Sequence, residues 1–302
     1  MTALSDFGGI FTETLTKKQK TQGRILMAST AVLWGLAGVC VKSIEWSSFS
    51  LMAARSVISL IMLFILKGSL RLKFTKPNIL GAVMMSATGI LYVEAIKLTT
   101  AGTAIVLQYI APIIVFLYSV IFQKKKAKPY EALITLAVFF GCFLSFSDSL
   151  EPTRIVGNIL GLLSGFTFAF QIIIMNSKEA DSQDSQIISN IFSFFFCLPF
   201  MFFDKGLVFD AKNITWVLIL GIFQYGLANV LFSKGIKLVD KVEGSLILTI
   251  EPVFNPIPVA IICGEMMGLR AIIGSVIVIV FVALYSVLSG KSEKQNEPAH
   301  QI

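Results

Sequence analysis

Ten apolar stretches, each long enough to cross a hydrocarbon core, occupy almost the whole of a 302-residue chain. They cover residues 24–43, 48–66, 78–97, 102–122, 130–148, 157–176, 186–203, 214–234, 244–263 and 270–289. Each holds about 18–21 residues, and a helix needs about 20 to span a ~30 Å apolar layer. Only 14% of the residues are charged, against roughly 25% in soluble domains. The chain therefore lacks the polar surface to cover a globule of its size in water. Short connections set neighbouring helices antiparallel and close together. The sequence predicts an all-α integral membrane protein with ten transmembrane helices, and almost nothing remains for a soluble catalytic domain.

A net charge of +7 raises the question of nucleic acid as a partner, and the placement of the charges argues against it. If the N-terminus is cytoplasmic, 18 basic residues fall on the cytoplasmic side and six on the other, with Arg55 inside a span. The positive-inside rule then sets both termini in the cytoplasm of a multi-pass protein of the cell membrane, with lipid as its surroundings. Residues 1–23 form a polar cytoplasmic segment with no cleavable signal, the first span serving as signal anchor. Residues 290–302 are expected as a charged tail without regular structure. Cys40, Cys142, Cys197 and Cys263 all lie in or at the ends of spans, where cysteine acts as a small hydrophobe. The single histidine, His300, falls in the tail. No cofactor, metal site or enzymatic activity is expected.

The last five spans repeat the first five. Gly23-Arg-Ile-Leu…Trp34 matches Gly157-Asn-Ile-Leu…Phe168, Ala95-Ile-Lys-Leu98 matches Gly235-Ile-Lys-Leu238, and Ala111-Pro112 matches Glu251-Pro252. Five is odd, so the second copy enters the membrane from the opposite side. The expected architecture is two inverted five-helix repeats, 24–148 and 157–289, with a site near the midplane between them.

Trp34-Gly35 in the first helix, Arg55 in the second, the run Ala95-Ile-Lys-Leu-Thr-Thr-Ala-Gly-Thr-Ala…Leu107-Gln-Tyr-Ile-Ala-Pro112, and Glu251-Pro-Val-Phe-Asn-Pro-Ile-Pro258…Gly264-Glu265 together resemble the EamA branch of the drug/metabolite transporter superfamily. The resemblance covers about residues 24–289. It implies a ten-helix bundle with a central cavity, alternating access, and a cargo among amino acids, nucleobases and other metabolites, often moved outward. One departure is visible. The position of Glu265 often has an acidic counterpart in the first repeat, where this chain has Lys125.

Several polar residues stand at membrane depth. Arg55 lies about 10 Å into its span at 1.5 Å per residue. Such a charge costs at least ~2.5 kcal/mol unless paired or hydrated. It could hold a substrate carboxylate, pair with another helix, or snorkel to the interface. Glu251 lies at a similar depth, with Asn255 one turn on, among Pro252, Pro256 and Pro258, which each remove an amide donor. Those groups could form a substrate or proton-coupling site with a hinge, or a buried structural contact. Trp34, Tyr92, Tyr109, Phe168 and Tyr225 could line a cavity, and Gln108, Gln171 and Asn229 could supply hydrogen bonds; bundle packing and interhelical bonding are the competing readings. Glu94 and Lys97 are spaced to pair, and they read with Lys234 as interfacial anchors or as gating contacts. Gly35, Gly38, Gly81, Gly161 and Gly165 permit close helix packing, and Gly161-Leu-Leu-Ser-Gly165 also allows a homodimer.

The expectation is a secondary transporter of a small organic metabolite (amino acid, nucleobase or drug-like solute), working by alternating access and more often outward. The alternatives are a passive pore or facilitator and a non-transport membrane subunit.

Overall fold

The computed structural model describes residues 16–67, 71–122, 124, 129–147, 152–175, 179–235, 238–239, 247–248 and 250–296. Lys125, Lys126, Lys128, Lys178, Lys237, Lys241 and His300 lie outside these residues. The described residues form helices and connections, with no strand among them. In order the helices are α1 (Lys17–Gly35), α2 (Ala37–Ser43), α3 (Ser48–Lys67), α4 (Lys76–Leu98), α5 (Ala101–Gln108), α6 (Ala111–Ile121), α7 (Pro129–Ser147), α8 (Pro152–Met175), α9 (Ser182–Met201), α10 (Ala211–Leu218), a π-helical segment (Ile219–Leu227), α11 (Ala228–Gly235), α12 (Ile250–Phe254), α13 (Pro256–Cys263) and α14 (Leu269–Asn296).

Seven of the continuous helical runs are long and apolar enough to cross a membrane: Lys17–Ser43, Ser48–Lys67, Lys76–Leu98, Ala101–Ile121, Pro129–Ser147, Pro152–Met175 and Ala211–Phe232. Ile250–Cys263 and Leu269–Tyr285 are shorter apolar runs. The chain is a multi-pass membrane protein. Its outer surface agrees, because α7 exposes Leu133, Leu136, Phe139, Phe140 and Phe143 while α9 exposes Phe195, Phe196 and Phe200. In water such a surface would be an aggregation liability; in lipid it is solvated.

Helix α9 carries that inversion furthest. Its inward face holds Asp184, Ser185, Gln186, Ser189, Asn190 and Ser193, all buried. A start near residue 186 is what hydropathy predicts, but the helix begins at Ser182. Asp181 caps it, accepting from the amides of Gln183 and Asp184 at 2.9 and 3.1 Å. Capping, which hydropathy does not register, also moves the first helix. Thr16 and Gln19 form a reciprocal capping box, so the helix starts at Lys17, within the polar segment expected to run to residue 23. At the other end α14 continues to Asn296, past the expected boundary at 289. Lys, Glu, Gln and Ser follow Gly290 without a proline until Pro298, and such residues propagate a helix at little cost.

Helix α4 packs along α8 and α9, and α3 along α9 and the π segment. Helix α1 packs on α11 and α12, α5 on α8, α2 on α13, and α7 on α14. Val39, Leu51, Met52, Val93, Ile96, Ile105 and Leu107 fill the centre of this bundle. Gly161 and Gly165 face Leu107 and Ile110 of the same chain, so they serve packing within one molecule.

The end of the bundle near Glu265 is tied by polar contacts. Lys42 pairs with Glu265 at 2.6 Å and donates to the Thr99 carbonyl at 2.7 Å. Glu265 also accepts from the Ala101 amide at 2.7 Å, and Lys97 donates to the Ile44 carbonyl. Asp204 accepts from the Ser47 amide at 2.8 Å at the start of α3. Burial opposes ionisation of Asp204, but hydrogen bonds from Ser50, Ser47 and Gly206 outweigh it and hold the carboxyl below the ordinary aspartate range. At the opposite end Lys67 pairs with buried Asp184.

Candidate functional site

Among the described residues three interruptions of the helices fall inside the bundle, and two of them have a proline as their cause. Between α12 and α13, Pro256 and Pro258 lack the amides that would bond to Pro252 and Phe254, and the helix breaks at Asn255. Pro252 leaves the Leu248 carbonyl without its usual donor, and the Tyr109 hydroxyl supplies one at 3.4 Å. The second break, after Gln108, precedes Pro112 in the same way. The third, at Leu36, has no proline. There the Leu36 amide reaches back only three residues, to Leu33, at 3.2 Å.

Asn255 is 0% exposed, and among the described residues neither its side-chain nitrogen nor its oxygen makes a hydrogen bond of good geometry. Its Oδ1 lies 2.6 Å from where a Cβ on Gly38 would stand, so only glycine at position 38 admits it. The Tyr92 hydroxyl lies beside Asn255 and within electrostatic reach of Glu251, again without a hydrogen bond of good geometry. Tyr109 also faces Glu251. Four of the residues selected from sequence, Tyr92, Tyr109, Glu251 and Asn255, thus form one cluster between α4, α5 and the α12–α13 break.

A second cluster surrounds Arg55, which is 5% exposed. Its guanidinium lies over the Tyr225 ring at 4.0 Å from the centroid, and among the described residues its Nε has no hydrogen-bond partner. Helix α4 links the two clusters. Gly89, one turn before Tyr92, would bring a Cβ within 3.0 Å of Arg55 Nη2. Asn229 donates to the Tyr225 carbonyl at 2.6 Å. The π-helical segment presents Gln224 and Tyr225 together. Gln224 donates to the Trp34 carbonyl at 3.5 Å while among the described residues its Oε1 has no hydrogen-bond partner, and the Trp34 ring rests against Phe232 at 5.2 Å. Isolated π turns recur at functional positions.

Not every expected residue joins these groups. Phe168 and Gln171 are half-buried on α8, and among the described residues no hydrogen bond or ring contact ties them to either cluster. Gln108 is half-buried at the end of α5. Its carbonyl, freed by Pro112, lies 2.8 Å from the Cβ position of Gly165. A separate space of about 370 Å³ between α3, α9 and α10 is lined by apolar side chains such as Val57, Phe194 and Leu218; it does not touch the polar clusters. Sequence reasoning missed Ser56, Gly89 and Gln224, and the Lys42–Glu265 pair. Ser56 and Gln224 each leave a buried polar atom unpartnered. Their adjacency to Arg55 and Tyr225 was the available signal.

Long apolar helices and an outer surface of exposed leucines and phenylalanines define a class, the multi-pass membrane proteins. The chain belongs to the EamA-like transporter family, whose model matches residues 21–147 and again 155–287. It is 27% identical over 266 residues to an uncharacterized transporter of Archaeoglobus fulgidus, covering 85% of this chain and 93% of that one. It is 20% identical over 300 residues to the uncharacterized transporter YxxF of Bacillus subtilis, covering 94% and 95% respectively. A solved crystal structure superposes with a TM-score of 0.64 at 15% identity, over 89% of this chain and 98% of its own. That likeness speaks to fold alone.

Proposed function

We propose that this chain is a secondary transporter that moves a small organic metabolite outward across the cell membrane by alternating access. In this reading ten membrane helices form two inverted repeats, 24–148 and 157–289, with both termini cytoplasmic. The observation that carries it is the set of buried, unpartnered polar groups at mid-bundle: Arg55, Ser56, Tyr92, Gln224 and Asn255. Each unmade hydrogen bond costs about 1–3 kcal/mol. Groups left so in the bundle interior, Asn255 at a helix break and Gln224 in the π-helical segment, are placed to receive a partner that the described residues do not supply.

The helix contacts support the repeat. Number the expected spans in chain order. The third packs on the sixth as the eighth packs on the first, and the fourth on the sixth as the ninth on the first. The second packs on the seventh and the fifth on the tenth. Exchanging each span with the one five places away maps this set onto itself, as two related halves require.

Glu251 is the proposed proton-coupling group, because it faces two tyrosines beside the break. Purified protein in liposomes preloaded with unlabelled amino acids and nucleobases should accumulate the matching labelled compound transiently. That overshoot requires a site exposed alternately to each side; a pore gives plain equilibration. Glu251→Gln should abolish flux driven by a pH gradient while leaving this exchange. Equilibration without overshoot for every solute that crosses would replace the transporter reading with the pore.

A further inference from the structure

We infer that the transported molecule carries a carboxylate, received by Arg55 against the face of Tyr225. The inference rests on the transporter reading above and names the chemistry of its cargo. Arg55 sits in the middle of α3, 5% exposed, with its head over Tyr225 and against Gly89 rather than directed to either end of the bundle. That position excludes snorkelling. A buried guanidinium at such depth costs at least ~2.5 kcal/mol. The ring face returns about 2 kcal/mol when desolvated, but it is not an ionic partner for the charge. Among the described residues Nε has no partner, and the guanidinium presents its donors in a planar fork that matches a carboxylate.

Among the described residues no carboxylate lies within ion-pair distance of Arg55, and three acidic groups of the bundle face other partners. Asp184 is held by Lys67 and Glu265 by Lys42. Glu251 faces Tyr92 and Tyr109. The charged or titratable groups that bear on Arg55 are Tyr225 and Cys197. With one fixed positive charge and no second cation beside it, the subsite matches a single negative charge, hence a carboxylate rather than a phosphate dianion. Gly89 keeps the α4 side of the guanidinium free of a side chain. A residue with a Cβ there would meet Nη2.

The test uses the full chain purified in detergent and matched probes: benzoate and phenylacetate against benzamide and phenylacetamide. Thermal unfolding is followed across a millimolar titration of each, since a ligand of the folded state raises its midpoint by mass action. Wild type should respond to each carboxylate at concentrations at least about tenfold below those its amide requires. Arg55→Gln should respond equally to acid and amide. Arg55→Lys keeps the charge without the fork and should lose about tenfold in carboxylate response. If Arg55→Gln does not fold, Arg55→Lys decides alone. Equal responses to acids and amides in wild type, no response to either acid, or an acid preference unchanged in the Arg55 variants would each overturn the inference. Counterflow distinguishes the two levels. Overshoot with neutral or cationic solutes that survives Arg55→Lys would leave the transporter and remove the carboxylate. An Arg55-dependent acid preference without overshoot for any solute would leave the subsite and remove the transporter.

Discussion

Removing the ring beneath Arg55 isolates a single interaction whose size follows from its surroundings. The guanidinium stands 4.0 Å from the Tyr225 centroid and is 5% exposed. It therefore belongs at the desolvated end of the cation–π range, about 2 kcal/mol, rather than at the exposed end near 0.5. Tyr225→Phe keeps the ring and should change stability little. Tyr225→Leu keeps apolar bulk, removes the ring, and leaves the cation with no favourable neighbour. A chain of 302 residues loses about 2 °C of midpoint per kcal/mol, so Tyr225→Leu should melt about 4 °C below Tyr225→Phe. Packing differences between leucine and tyrosine are removed by a double-mutant cycle. Tyr225→Leu made in an Arg55→Leu background should cost about 2 kcal/mol less than in wild type. The assay is thermal unfolding of the detergent-purified variants. A coupling energy near zero would refute the reasoning, because the arginine would then have been stabilised by something other than the ring.

Other expectations follow from single contacts. Gly38→Ala places a methyl 2.6 Å from Asn255 Oδ1 and 2.9 Å from both Ala101 Cβ and Val259 Cγ2, and should destabilise by about 1–3 kcal/mol in a melting experiment. Tyr109→Phe leaves the carbonyl freed by Pro252 without a donor and should cost about 1 kcal/mol, with hydrogen exchange rising around the α12–α13 break. Asp204 has its folded-state carboxyl held below the ordinary range. Its contribution is therefore present above the unfolded-state value and is lost as pH falls through the folded-state one. Asp204→Asn should remove part of the acid sensitivity of the melting midpoint, and an unchanged pH profile would show that the Ser47 contact does not hold the start of α3.

Hydropathy made most of the helices legible because lipid imposes length and apolarity on a spanning segment. It could not place α9 correctly. That helix buries Asp184, Gln186 and Asn190 and turns phenylalanines outward, so its polar side belongs to the protein interior rather than to a loop. It also could not see that Thr16 and Asp181 start helices early, since a cap is a hydrogen bond and not a composition. At the site, charge at depth pointed to Arg55 and Glu251, and prolines pointed to Asn255. Their partners were harder to read. Gln224 and Tyr225 face inward because a π-helical segment shifts the register there, and nothing in the residues Ile219–Leu227 announces that shift. Gly89 carries no signal in the sequence, and its role shows only where Arg55 lies against it. The Lys42–Glu265 pair joins residues more than two hundred positions apart, a separation that no local pattern spans.

The central claim is that the unpartnered polar groups at mid-bundle form a site open to each side of the membrane in turn. Ser56→Cys and Asn255→Cys, made singly in a protein whose Cys40, Cys142, Cys197 and Cys263 have been replaced, test it most directly. Each is reconstituted and treated with a small membrane-impermeant thiol reagent, applied to one face of the vesicle at a time during turnover. The expected result is modification from either face, at rates that change in opposite directions when the solute gradient is reversed. Reaction from neither face, in a folded protein that still carries out exchange, would contradict the claim and return these groups to the packing of the bundle.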